Sequence, residues 1–237
     1  RSSLKEACDN GSYDVRNVFN SSMVDAASAS GFNVVTFLNN HDYREAGQPV
    51  QTNTILGYAY LLTNNQVGIP SVFYPEYFGT AVTNYPTINL QSEIDALIAA
   101  HKTYIYQSTH RDYLSRFSTP FSNSYSSGSA DKTMLFQLAG GAAGKDVIVC
   151  INFSSSALNV THEVNLDVDG DSNNNFMPGQ TFAEVLSNSS TPTLTVSGSN
   201  EVNIQLPAYS YSLWVEGSLL PVELVRFQAQ AKADFVE

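Results

Sequence analysis

Cysteine is nearly missing from this chain: Cys8 and Cys150 are the only two among 237 residues. That is too few for a disulfide framework, and nothing around them has metal-ligand spacing. Two buried thiols are the simple expectation, with a Cys8–Cys150 bridge as the alternative. Basic residues are scarce as well. Eleven Lys and Arg face 22 Asp and Glu, a formal charge of −11 and a pI near 4.6. Such a surface repels phosphate backbones and anionic lipid, which argues against nucleic acid as a partner and favours neutral or cationic ones. No stretch approaches the roughly 18 apolar residues that a membrane-spanning helix needs, so no membrane insertion is expected. The opening "RSSLKEACDNG" also lacks the apolar centre of a signal peptide. What the chain does have is apolar mass: 43% hydrophobic and 11% aromatic residues, enough for one large domain or two ordinary ones.

The pattern changes character near residue 112. Before it, helix and strand signals alternate. Leu4 to Cys8 and Val15 to Ala27 read as helical, "GFNVVTFL" from Gly31 as a buried strand, and "TNTILGYAYLLTNN" from Thr52 as an apolar helix. "GIPSVFY" from Gly68 reads as a second strand, and Ile94, Leu97, Ile98 and Ile105 fall at helical spacing within Gln91 to Gln107. This alternation is that of a parallel α/β sheet. Beyond residue 112 short strands with period-two alternation follow one another, from "TMLFQLA" and "DVIVCINF" to "VNIQL" and "YSYSLWV", separated by Ser, Asn and Gly. An antiparallel β-domain is expected there. In its last strand Tyr209, Tyr211, Leu213 and Val215 share one face and read as core, with a sugar-stacking platform as the alternative.

One stretch breaks the apolar grammar. "FLNNHDYREAG", residues 37 to 47, runs a strand straight into Asn39, Asn40, His41 and Asp42, with Arg44 and Glu45 behind. All of these are costly to desolvate, so they belong at an open strand end. In parallel α/β folds that is where ligands bind. Asp42 as a turn cap and His41 bonded to a carbonyl is the plainer alternative.

Phe37, Asn40, His41 and Asp42 match the F-x-x-N-H-D signature of the α-amylase superfamily of glycoside hydrolases, which closes its seventh barrel strand. "YAYLLTNNQVGIPSVFYPEYFG" is similar to that family's seventh helix and eighth strand, and "SEIDALIAAHKTYIYQSTHRDYLS" to its eighth helix and exit, particularly in liquefying-type bacterial α-amylases. The resemblance implies the C-terminal portion of a (β/α)8 TIM barrel over residues 1–111. An antiparallel β-sandwich domain would follow over 112–216, with 217–237 a linker into a further module. It implies an α-1,4-glucan, starch or a maltooligosaccharide, as substrate. Asp42 would be the carboxylate that grips the sugar ring undergoing cleavage, with His41, Asn40 and Arg44 binding substrate beside it. Retaining hydrolysis needs two further carboxyl groups, a nucleophile and an acid/base about 5 to 5.5 Å apart. In the family these lie on earlier strands, and nothing in residues 1 to 30 supplies them.

The segment is therefore expected to be inactive by itself and to need the missing N-terminal barrel portion as a partner. A whole barrel takes eight strands and roughly 250 residues. A transglycosylase on the same scaffold and a non-catalytic glucan-binding module are the competing functions. Two departures stand out: Asn39 replaces an aspartate common in the family, a change expected to be tolerated, and Pro75 replaces a glycine, which alters the backbone near Glu76 and Tyr77. No cofactor is expected within the segment, although a structural calcium is common in parent enzymes. "DVDGDSNNN" clusters Asp167, Asp169 and Asp171, but its glycine and the lack of a following Glu fit no EF-hand, so a solvated connection is favoured over calcium. Asn20, Asn152, Asn159 and Asn188 open N-x-Ser/Thr sequons that chance explains in so Ser- and Asn-rich a chain. The tail "LPVELVRFQAQAKADFVE" resembles the junction before secretion modules of Bacteroidetes proteins. With a polymeric substrate, that implies a secreted or cell-surface bacterial protein.

Overall fold

A computed structural model describes residues 1–20, 33–141 and 143–217. The helical part opens with α1 (Ser2–Asp9), and a 3-10 turn covers Val15–Asn20. The remainder of the helix expected over Val15 to Ala27 lies outside the described residues, as does the tail from 218 onward. Strand β1 (Val35–Phe37) pairs in parallel with β2 (Ile69–Ser71), and α2 (Thr54–Leu62) lies between them in sequence. The short helix α3 (Tyr74–Phe78) and the longer α4 (Gln91–Ala100) follow, the latter continuing as a π turn over His101–Ile105.

The strands that follow are β3 (His110–Tyr113), β4 (Asn123–Ser127), β5 (Thr133–Ala139), β6 (Val147–Asn152), β7 (Leu158–Glu163), β8 (Thr181–Glu184), β9 (Thr193–Thr195), β10 (Glu201–Leu206) and β11 (Ser210–Glu216). They form two antiparallel sheets. One has the order β3-β5-β6-β11-β8-β9 and the other β10-β7-β4. The two-residue step 111/112, where the composition changes, falls inside β3.

Burial explains the two kinds of strand sequence. The six-stranded sheet is a middle layer. Phe136, Val149, Ile151, Leu213 and Val215 on one of its faces share a core with α1, α2 and α4. Leu135, Ile148, Cys150 and Trp214 on the other face share a core with Leu158, Val160, Val202 and Ile204 of the three-stranded sheet. Every residue of β5 and β6 is consequently buried, so these two read as continuous apolar runs. β7, β10 and the short β9 show the clean two-residue alternation.

Two expectations need correction. β1 is not a buried strand: Val35 is 61% exposed and its partner Ile69 51%, because among the described residues β1 pairs only with β2. Helix α2 is the apolar helix expected from Thr52 onward. Leu56 through Leu62 are all buried, since the helix is wedged between α1, α4 and the middle sheet. Tyr209 is not core. It sits in the β10–β11 turn and is 44% exposed, while Tyr211, Leu213 and Val215 are buried as expected. Cys8 and Cys150 are both free and buried in different cores.

Candidate functional site

The β1–β2 pair builds the base of the site. Thr36 donates from Oγ1 to the Val67 carbonyl at 2.6 Å, holding the strands in register. Gly68 makes that approach possible. Its φ is 130°, and a Cβ there would lie 2.4 Å from Thr36 Oγ1 and 2.8 Å from the Val34 carbonyl oxygen. Immediately after β1 the chain dives. Leu38 and Asn39 are buried, and the following turn from Asn40 to Glu45 returns to solvent.

That turn is fastened at its root and on its flank. Asn39 Nδ2 donates to the Glu76 carboxylate, while its Oδ1 accepts from the Val50 amide at 3.0 Å. Glu76 is fully buried and also accepts from the Tyr58 hydroxyl. Burial pushes the Glu76 carboxyl up from the ordinary carboxylate range, and the Tyr58 and Asn39 hydrogen bonds pull it partly back. Tyr58 in turn accepts from the Phe73 amide at 3.1 Å. Pro75 stands in the first turn of α3, where proline fits, and Gly79 closes the helix in the left-handed region. The backbone that Pro75 alters thus becomes the helix that aims Glu76 inward.

On the flank, the Tyr85 hydroxyl donates to the Asn40 carbonyl, and Asn84 Nδ2 donates to the Arg44 carbonyl at 2.6 Å. From the other side Arg1 donates to the Leu38 carbonyl at 3.1 Å and lies 3.8 Å over the Tyr43 ring.

The four residues singled out from sequence stand together on this turn. Asn40 Oδ1 accepts from the Asp42 amide at 3.1 Å. His41 Nε2 lies 3.4 Å from Asp42 Oδ1, and both side chains are mostly exposed, at 80% and 67%. Arg44 Nε donates to the His41 carbonyl at 3.1 Å, which turns its guanidinium back along the turn. The group can present a carboxylate acceptor, an imidazole and an amide to a polyol from one side. Sequence reasoning named Asn39 and Glu76 only as separate local changes and left out Tyr58 and the buried network that joins the three. Their only signal was a lone Glu within the aromatic run "FYPEYF", opposite an Asn where an acid is common.

Asp167, Asp169 and Asp171 also come together, with carboxylate oxygens within 4.8 Å of one another. They are engaged in turn contacts, Asp167 accepting from the Gly170 amide at 2.8 Å and Asp171 from the Asn173 amide at 2.7 Å.

Comparison with known proteins gives this geometry its context. No family model matches the chain. An α-amylase of Geobacillus stearothermophilus is 39% identical over 110 residues, covering 44% of this chain and 18% of its own length. A glucan 1,4-alpha-maltohexaosidase of Bacillus sp. (strain 707) is 37% identical over 108 residues, covering 44% of this chain and 20% of itself. Over that matched 44% the chain is similar in sequence to α-amylase-type enzymes. A maltogenic α-amylase from Thermotoga neapolitana shares the fold over 90% of this chain and 48% of its own, at a TM-score of 0.58 and 14% identity. An Anoxybacillus α-amylase does so over 92% and 46%, at 0.53 and 16%. The chain thus spans about a fifth of the length of the curated α-amylase relatives and about half of the solved ones. The antiparallel sheets, with the helical layer on them, are the fold that these solved structures share with the chain. Among the described residues the parallel sheet has two strands.

Proposed function

We propose that this chain is the C-terminal portion of a retaining α-1,4-glucan hydrolase and that Asp42 stabilises the transition state. The β1–β2 pair with its helices is then the end of a (β/α)8 barrel, and the two antiparallel sheets are the β-sandwich domain behind it. The exposed Val35 and Ile69 fit a strand pair that continues into further barrel strands.

The observation that carries the reading is the solvent-facing Asp42 carboxylate beside His41 at the carboxyl end of a parallel strand, on a turn tied down at its root. A charged acceptor binds sugar hydroxyls more strongly than a neutral one, and bonds to the ring that tighten as it flattens lower the barrier rather than only aiding binding. Nucleophile and acid/base come from the preceding barrel strands, so the segment alone is inactive. A polymeric substrate fits export to the cell surface or medium.

Asp42→Asn in the complete enzyme is the test. Turnover of starch should fall by roughly 10²-fold or more, the scale of losing one preorganised electrostatic partner, with glucan binding largely kept. Unchanged turnover removes the catalytic role. Product analysis then separates hydrolysis from transfer, and measurable hydrolysis by the 237-residue chain alone would overturn its inactivity.

A further inference from the structure

A concave feature lies at the seam between the helical layer and the β-domain. Its volume is about 290 Å³, near the roughly 300 Å³ lower bound of small-molecule sites, and its lining includes Asp9, Gly11, Thr52, Asn53, Phe153 and Tyr209. Asn40, His41, Asp42 and Arg44 are not part of it.

Tyr209 makes the feature more than a packing gap. Its φ is 46°, in the left-handed region, where a bulky aromatic is a true outlier and Gly or Asn would rest more easily. The ring is 44% exposed, so its own burial does not offset that strain. A tight turn between β10 and β11 asks for no aromatic here. Tyr209 instead lines the cavity together with Phe153, which is almost fully buried. Strained side chains of this kind concentrate at ligand clamps.

The polar lining narrows the ligand. Asp9 Oδ1 is used by the Gln51 and Thr52 amides at 2.8 Å each, but Oδ2 takes only Lys5 Nζ among the described residues and keeps a lone pair free. Asn53 donates from Nδ2 to the Cys8 carbonyl at 3.0 Å, which leaves its amide oxygen as an acceptor. A carboxylate at the rim disfavours anions, and acceptors next to aromatic faces disfavour a purely apolar guest. A neutral ring with hydroxyls on its edge and C–H bonds on its face satisfies both halves of the lining.

We propose that this cavity holds a glucose unit of an α-glucan, separately from the Asn40–Asp42 turn. The choice of α-glucan rests on the function proposed above, whereas the site rests on Tyr209. The test titrates the 237-residue chain with maltoheptaose, followed by NMR at Tyr209 and Phe153. Wild type should show saturable binding that shifts both rings. Tyr209→Gly relieves the backbone strain while taking an aromatic side chain out of the lining, so it should fold at least as well and bind at least tenfold more weakly. Tyr209→Phe should keep most of the affinity. Absence of saturable binding by wild type, or equal affinity in Tyr209→Gly, overturns the site. Turnover of the Asp42→Asn enzyme is read independently, so either proposal can fail while the other stands.

Discussion

Asn39 donates its side-chain amide to the buried Glu76 carboxylate, joining the end of β1 to α3 across 37 positions of sequence. This bond is the root of the Asn40–Glu45 turn, and it couples the placement of Asp42 to a group that does not face solvent.

Asn39→Asp would restore the acid common at this position and set two carboxylates against each other in a buried place. Such a pair shares a proton and cannot ionise fully. Folding would then hold a proton that the unfolded chain releases near pH 4, so stability is lost as pH rises. The variant should be clearly less stable than wild type at pH 8, by about 1–3 kcal/mol, the cost of an unsatisfied buried polar group. The gap should close toward pH 4. Urea denaturation at both pH values measures it, and a pH-independent difference would show that Glu76 is not its partner.

Tyr85→Phe removes the donor to the Asn40 carbonyl but keeps the ring packed 5.0 Å from Phe73. Global stability should fall by only about 1 kcal/mol, the net worth of one hydrogen bond. The larger effect should be local: amide exchange at Asp42 and Tyr43 should accelerate relative to β5 and β6. Exchange by mass spectrometry or NMR reports both quantities at once.

Asp146 offers a pH dependence away from the turn. Burial, with Glu216 and Asp169 nearby, raises its carboxyl from 3.8 to about 7. The folded state therefore keeps a proton that the unfolded state loses first, and stability present below about pH 4 declines as pH rises toward 7. Asp146→Asn should raise the melting temperature by a few degrees at pH 8 and leave it unchanged at pH 3.5. Thermal melts at the two pH values decide it.

Sequence patterning found α1, α2, α4 and most strands from their apolar residues, whereas α3 was missed because "GIPSVFY" read as strand through Tyr74. Thr54–Leu62 and Gln91–Ala100 were legible as apolar runs. β3 and β4 were not, since "HRDY" and "NSYSS" carry few apolar residues and are held by pairing to β5 and β7. Asn40, His41, Asp42 and Arg44 were legible because polar groups ending a strand are anomalous. The Asn39–Glu76–Tyr58 network was not. Each member looks ordinary in its own segment, and only tertiary contact makes them one unit.

The middle sheet, covered on both sides, ties the fate of the whole chain to one layer. Cutting the polypeptide at the compositional border would expose to water the face of β5, β6 and β11 that packs on α1, α2 and α4, while the core between the two sheets would stay closed. Heating should therefore produce a single unfolding transition, and proteases should find few places to separate the helical layer from the sheet it packs on.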